Sequence, residues 1–167
     1  VDADLQAYFD SIPHAPLRAQ VQSKVSDRRV LALIDAFLHQ PIFEGLSQWT
    51  VDTGTPQGAV ISPLLANLYL DPLDHAMADA GVEMVRYADD FVILCRTADE
   101  AARALALVDR WTKDAGLTLH PAKKQLVDMQ QPGGFDFLGD HFERDRRWPR
   151  RKCSPKRDRK ASPRMTW

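Results

Sequence analysis

The chain has only two cysteines, Cys95 and Cys153, far apart and without a C-x-x-C spacing, so neither a disulfide framework nor a zinc site is indicated. Its five histidines, His14, His39, His75, His120 and His141, stand at no ligand-like interval. Each reads as an ordinary surface or core residue. Long apolar runs are missing as well: none approaches the ~20 residues that cross a bilayer, and no basic-then-apolar leader opens the sequence. Membrane and secretory readings drop out, and a reducing cytoplasm is the expected location. No internal repeat or low-complexity tract precedes the final basic stretch.

What is present is enough for one ordinary domain: 167 residues, 44% hydrophobic and 27% charged, can bury a core. The net charge of -1 hides a division. From Arg144 to Trp167 eleven Lys or Arg face only Asp145 and Asp158, a net +9, so residues 1–143 hold 11 bases and 21 acids, a net -10. A basic end of this kind reads as a solvated, disordered tail or as a phosphate-neutralising one. The acidic body argues against a nucleic-acid surface unless some of its acids hold metal ions.

Residues 1–9 read as a strand leading into a turn, with Ser11 and Pro13 beyond as breakers. Apolar positions at three- and four-residue spacing (Val30, Leu31, Leu33, Ile34, Phe37, Leu38) predict helices over 15–25 and 27–40, the second stopped by Pro41. An extended stretch over 42–51 reaches the loop 52–58, and a helix over 60–79 follows. Residues 82–88 and 91–95 are β-rich runs around Asp89-Asp90, the signature of a hairpin. Thr97-Ala98-Asp99-Glu100 matches a capping box before an amphipathic helix ending at Gly116. Short strands are expected at 117–119, 125–129 and 135–138. That order predicts an α+β fold: a ferredoxin-like split βαβ antiparallel sheet with helices on one face.

Two features point to chemistry. Asp89 and Asp90 are adjacent carboxylates at a turn between apolar strands. Such a pair serves turn geometry, or it is held together by a counter-ion. Asp4 ends a separate apolar strand, and if that strand pairs beside the hairpin, three carboxylates converge at one sheet edge. An all-oxygen donor set of that kind suits Mg²⁺, and two ions ~3.5 to 4 Å apart would support an in-line displacement at phosphorus.

Five motifs occur in a telling order: Asp4-Leu5-Gln6-Ala7-Tyr8-Phe9-Asp10-Ser11-Ile12-Pro13-His14; Gly54-Thr55-Pro56-Gln57-Gly58 through Asn67; Arg86-Tyr87-Ala88-Asp89-Asp90-Phe91; Leu119-His120-Pro121-Ala122-Lys123; and Gly134-Phe135-Asp136-Phe137-Leu138-Gly139. Together they resemble the reverse transcriptase/maturase family encoded by bacterial group II introns, from residue 1 to about Pro149. The resemblance implies a right-hand polymerase palm that adds deoxynucleoside triphosphates to a DNA primer on an RNA template, with group II intron RNA as a further partner. It implies two Mg²⁺ ions, replaceable by Mn²⁺, on Asp4 and Asp89, with Asp90 in a supporting place. Asp2 falls outside the motif spacing and reads as a surface acid. By the same likeness Phe9 is a steric gate against a ribose 2′-hydroxyl, with Tyr8 the core ring. Gln57 contacts the template base or the incoming nucleotide, and Lys123 lies near the triphosphate, although Lys124 competes for that place. Arg86 has two readings, a primer contact or a pair with a nearby acid. Phe135, Phe137 and Leu138 match a primer grip or serve as core.

The pattern departs from complete family members. Fingers motifs before Asp4 and a helical thumb after the palm are not found, so the expected organisation is a palm fragment over 1–149 and a basic, disordered tail over 150–167, as a truncated gene copy would encode. Three rival readings remain open on sequence: a retron-type or CRISPR-associated reverse transcriptase, a non-catalytic RNA-binding splicing cofactor, and a relic.

Overall fold

The computed structural model describes residues 1–40, 42–44, 47–49, 53–55, 59–144 and 149–153. Strand β1 (Asp2–Asp4) leads to the single-turn helix α1 (Tyr8–Ser11), helices α2 (His14–Lys24) and α3 (Arg28–Leu38), and the paired strands β2 (Ile42–Glu44) and β3 (Ser47–Trp49). Helix α4 (Ser62–Asp79) precedes the hairpin of β4 (Glu83–Tyr87) and β5 (Asp90–Leu94). Helix α5 (Ala98–Asp114), a 3₁₀ turn (Pro121–Lys123) and strands β6 (Phe135–Phe137), β7 (Asp140–Arg144) and β8 (Pro149–Cys153) complete the order. The fold is α+β with small antiparallel sheets.

Local chemistry accounts for the helix boundaries. Asp27 caps α3 by accepting from the backbone N–H groups of Arg29 and Val30, which satisfies donors the helix itself leaves open. The Thr97 hydroxyl does the same for Glu100 at the start of α5, and the Glu100 carboxylate accepts from Arg96 N at 2.7 Å. Gly116, at φ 71, turns the chain out of that helix. Pro63 stands in the first turn of α4, where no N–H is needed, but Pro72 lies inside the helix and the helix runs through it.

The sheet that matters for function has the order β1-β5-β4. On its free edge β1 bonds to the 117–125 region: Leu5 bridges Leu119 and Asp2 bridges Gln125, both antiparallel, with Asp2 N to Gln125 O at 3.0 Å and Gln125 N to Asp2 O at 2.9 Å. Counted along the chain, these four extended pieces lie in the order 4-1-3-2, with α4 and α5 as the two crossovers. This is the split βαβ arrangement expected from the sequence. Ala3, Phe91 and Ile93 on one face of the sheet join Leu65, Tyr69, Leu70, Leu73 and Met77 of α4 and Ala104 and Val108 of α5 in one core. Each large apolar side chain buried there contributes roughly 1.5–3 kcal/mol. On the other face Val85, Tyr87 and Leu94 are exposed.

Several expectations shift. The first strand ends at Asp4 instead of continuing to Phe9, because Ala7 adopts a left-handed conformation (φ 46) and turns the chain into α1. The turn lets Tyr8 bury its ring and donate its hydroxyl to Ala66 O at 2.5 Å. The hairpin turn is Ala88-Asp89, one residue earlier than expected: Tyr87 pairs with Asp90, which opens β5. The strands expected at 117–119 and 125–129 reduce to bridges at Leu119 and Gln125. Residues Pro149–Cys153 pair with β7 as β8, so the first residues of the expected tail extend a sheet, while 154–167 lie outside the described residues. Among the described residues no helix is long and apolar enough to cross a membrane.

Candidate active site

Three of the predicted site residues meet where β1 ends. Asp4 is the last residue of β1 and stands directly opposite Asp90, the first of β5. Such cross-strand partners share a face, here the one turned away from the helices. Asp89 occupies the turn just before, where its carbonyl accepts from Leu5 N at 3.3 Å. Asp4 is fixed from the other side by His120 N, which donates to its carbonyl at 2.8 Å. Antiparallel register, a two-residue turn and an edge pairing thus bring residues 4, 89 and 90 together.

Like charges crowded in this way raise one another's proton affinity. Asp4 is only 7% exposed. Burial, with the charge and hydrogen bond of Asp4 adding to it, lifts Asp89 above the usual carboxylate range. Burial and then the charges of Asp4 and Asp2 push Asp90 up to about 6. The fourth member supplies the opposite sign. His120 Nδ1 accepts from Ala122 N at 3.2 Å and starts the Pro121–Lys123 turn, from which the Lys123 ammonium donates to the Asp4 carboxylate. That contact is the chief cause of a raised Lys123 pKa.

The two neighbouring lysines part ways: Lys123 contacts Asp4, whereas Lys124 forks onto Asp109 of α5 at 2.8 Å to each oxygen. Arg86 makes the acid pair, one of its two expected readings. It lies on the helix side of the sheet and pairs with Asp74 of α4 through Nε at 2.8 Å and through a second, shorter contact. Asp2 differs from its expected place as a surface acid: it is half-buried, accepts from Gln125 Nε2 at 2.7 Å, and is raised above its ordinary pKa by burial.

Phe9 lies on α1, half-buried, edge-on to Tyr8 with ring centroids 5.6 Å apart. Its carbonyl accepts from Thr55 N at 2.6 Å, and Ile12 O accepts from Gly54 N at 2.7 Å, so the 53–55 segment is laced to α1. Gln57 lies outside the described residues. Of the three aromatic-hairpin residues, Phe137 is buried, Phe135 stacks on Phe142 at 5.3 Å, and Leu138 is exposed at a left-handed turn position.

Sequence reasoning missed two residues that hold Arg86. Asn67 and Asp74 of α4 both bond Arg86, and the seven-residue interval between them, two turns on one helix face, was the available signal. His14, expected as a surface or core histidine, is a core one, buried with Nε2 2.6 Å from Gly54 O. Because a carbonyl only accepts, Nε2 carries the proton.

The donor set at residues 4, 89 and 90 is all carboxylate oxygen, which fits a hard divalent cation. Among the described residues, no group of three or more His, Cys, Asp or Glu side chains stands so that it could hold a metal ion. The cation in contact with Asp4 is the Lys123 ammonium.

Comparison with known proteins bears on this geometry. The family described as Reverse transcriptase (RNA-dependent DNA polymerase) matches residues 1–142. The chain is similar to the Group II intron-encoded protein LtrA of Lactococcus lactis subsp. cremoris, 39% identical over 74 residues, which is 44% of this chain and 12% of that protein. It is 43% identical over 75 residues to an uncharacterized 91 kDa protein in cob intron of Schizosaccharomyces pombe, 44% of this chain and 9% of the relative. Against Protein YkfC of Escherichia coli the identity is 25% over 184 residues, covering 87% of this chain and 47% of the relative. The chain therefore spans about a tenth of the first two relatives and about half of the third.

Proposed function

The chain belongs to the reverse transcriptase (RNA-dependent DNA polymerase) family, and on that premise we propose that it is the palm of a group II intron-type enzyme, adding deoxynucleotides to a DNA primer on an RNA template. The observation that carries the reading is the register of Asp4 opposite Asp90 with Asp89 in the adjoining turn. A binding protein has no use for three mutually repelling acids on one sheet edge, whereas a phosphoryl-transfer enzyme needs them.

Asp4 and Asp89, with Asp90 in support, would hold Mg²⁺, two ions in this reading, with Mn²⁺ an acceptable replacement. Bound there, divalent ions would activate the primer 3′-hydroxyl and neutralise the leaving pyrophosphate. The chain's own residues do the rest. The carboxylates orient the primer terminus for in-line attack by bringing the reacting groups into register. Lys123, once another cation takes over the Asp4 carboxylate, has its ammonium free to donate to the triphosphate as negative charge builds on the departing oxygen. Phe9 presents a ring edge to the sugar and disfavours a 2′-hydroxyl, and Gln57 meets the template base or incoming nucleotide.

Group II intron RNA is the further partner we propose, on the similarity to the intron-encoded protein. A reducing cytoplasm is the compartment, on two cysteines without disulfide spacing.

The test is primer extension by the purified full chain on an RNA template with deoxynucleoside triphosphates and Mg²⁺ or Mn²⁺. Extension that Asp89→Ala abolishes is the expected result. A wild-type chain that binds the duplex yet extends nothing would overturn the catalytic reading in favour of a non-catalytic RNA-binding role.

A further inference from the structure

Arg86 makes a set of contacts that a simple ion pair does not require. Its guanidinium, 11% exposed, grips Asp74 with two nitrogens, while the third, NH1, donates to Asn67 Oδ1 at 2.9 Å and to Ala88 O at 3.0 Å. Three acceptors on two elements are therefore served by one rigid plane. Two of them belong to α4, the buried helix of the core, and the other is the main chain of the hairpin turn.

That turn is strained. Ala88 sits at φ 54, a backbone region unfavourable to a residue with a Cβ that persists only when its surroundings enforce it. Asp89 follows directly. A turn free to relax would swing the Asp89 carboxylate relative to Asp4 and Asp90, whose positions are set independently by strand pairing. The Ala88 carbonyl is the point at which the hairpin turn is tied to α4.

We propose that Arg86, held in plane by Asp74 and Asn67, is a positioning residue that locks the Ala88-Asp89 turn and so sets where the Asp89 carboxylate meets a divalent cation. The inference deepens the proposed function and rests on its assignment of Asp89 as a metal ligand. A lysine at position 86 would keep the charge opposite Asp74 but lose the fork, which alone spans Asp74, Asn67 and Ala88 at once. The bland alternative is a tie between helix and sheet that serves stability alone.

The two are separated by Mn²⁺ binding to the full chain, followed by water-proton relaxation well below the melting temperature, where a purely structural tie has no effect. Variants are Arg86→Lys, Asn67→Ala and Asp89→Asn, each checked for folding by circular dichroism. Expected are Mn²⁺ binding by the wild type, its loss in Asp89→Asn, and affinity weakened on the order of tenfold in Arg86→Lys, the scale seen when a group supporting a metal ligand is removed. Asn67→Ala, which leaves the Asp74 pair intact, weakens it less and decides the matter should Arg86→Lys not fold. Mn²⁺ binding that depends on Asp89 but is unchanged in the folded Arg86 and Asn67 variants overturns the inference alone. No Mn²⁺ binding by the wild type overturns the site assignment and the inference together.

Discussion

The Lys123 ammonium donates to the Asp4 carboxylate across 119 positions of sequence, in the place where the proposed divalent cation would bind. Asp4 is buried and otherwise surrounded by like charge, whereas the lysine side chain is 57% exposed. Removing the lysine leaves a buried carboxylate without its counter-charge, a loss reduced by the water around the lysine. Lys123→Met is expected to lower metal-free stability by about 1–2 kcal/mol, read from urea unfolding, and Mg²⁺ is expected to restore most of it. Equal unfolding midpoints for the two proteins without metal would show that the contact carries no weight.

Asp90 gives the pH dependence its sign. Its carboxyl is pushed up to about 6 from an ordinary 3.8, by burial first and then by Asp4 and Asp2. A folded-state value above the unfolded one means that the folded protein holds the proton more tightly. The stabilisation is complete below about pH 4 and is lost as pH rises through about 6. Asp89, also raised, acts in the same direction. Metal-free protein should therefore lose stability between pH 4.5 and 7.5 more steeply than Asp90→Asn does, and Mg²⁺ should stabilise more at pH 7.5 than at 4.5. Parallel urea-midpoint profiles for the two proteins would contradict this.

The parts of the fold that could be read in advance are those with local causes. The α5 capping box and the hairpin follow from side chains within a few residues of one another. The fourth extended edge was only half legible, because residues 117–125 owe their strand character to β1, far away in sequence. The hairpin turn was misplaced by one residue because Asp-Asp is the better turn chemistry and a left-handed alanine is unfavourable by itself. Pairing of Tyr87 with Asp90 closes a two-residue turn with Ala88 at φ 54, and Arg86 NH1 donates to the Ala88 carbonyl at 3.0 Å. Arg86 could be narrowed to two roles from sequence, but choosing the acid required knowing which face of α4 lies under β4. The three aspartates were grouped on the condition that β1 pairs beside the hairpin, and the register of Asp4 opposite Asp90 meets that condition.

Gly54 is predicted to be irreplaceable on two independent grounds. It sits at φ +87, and a Cβ built on it would lie 2.9 Å from Asp10 O and 3.0 Å from Asp10 Cα, main-chain atoms that cannot step aside. Its carbonyl also takes the buried His14 Nε2–H at 2.6 Å. Gly54→Ala should cost about 2–3 kcal/mol through left-handed strain and the clash and should loosen the 53–55 segment from α1. Chemical denaturation measures the first. Hydrogen exchange at the Thr55 amide, which donates to Phe9 O, measures the second. Unchanged protection at that amide would mean that the lacing survives without the glycine.

Phe9 carries the prediction about substrate choice. Its ring is braced by Tyr8, edge-on at 5.6 Å and 60°, and its backbone by the bond from Thr55 N, so the ring has little freedom to yield to a bulkier sugar. A gate works by such stiffness: a hydroxyl meeting a fixed ring edge is rejected, while one meeting a movable side chain is accommodated. Phe9→Val removes the ring and its edge contact with Tyr8, while the Tyr8 hydroxyl keeps its bond to Ala66 O. The expected result is ribonucleotide incorporation raised on the order of tenfold relative to deoxynucleotide, a difference of about 1.4 kcal/mol in transition-state binding, with deoxynucleotide extension itself reduced by less. Competition between labelled deoxy- and ribonucleotides in a single-addition assay reads the ratio directly. Fall in both rates by the same factor would identify Phe9 as a packing residue of α1 with no hand in discriminating the sugar.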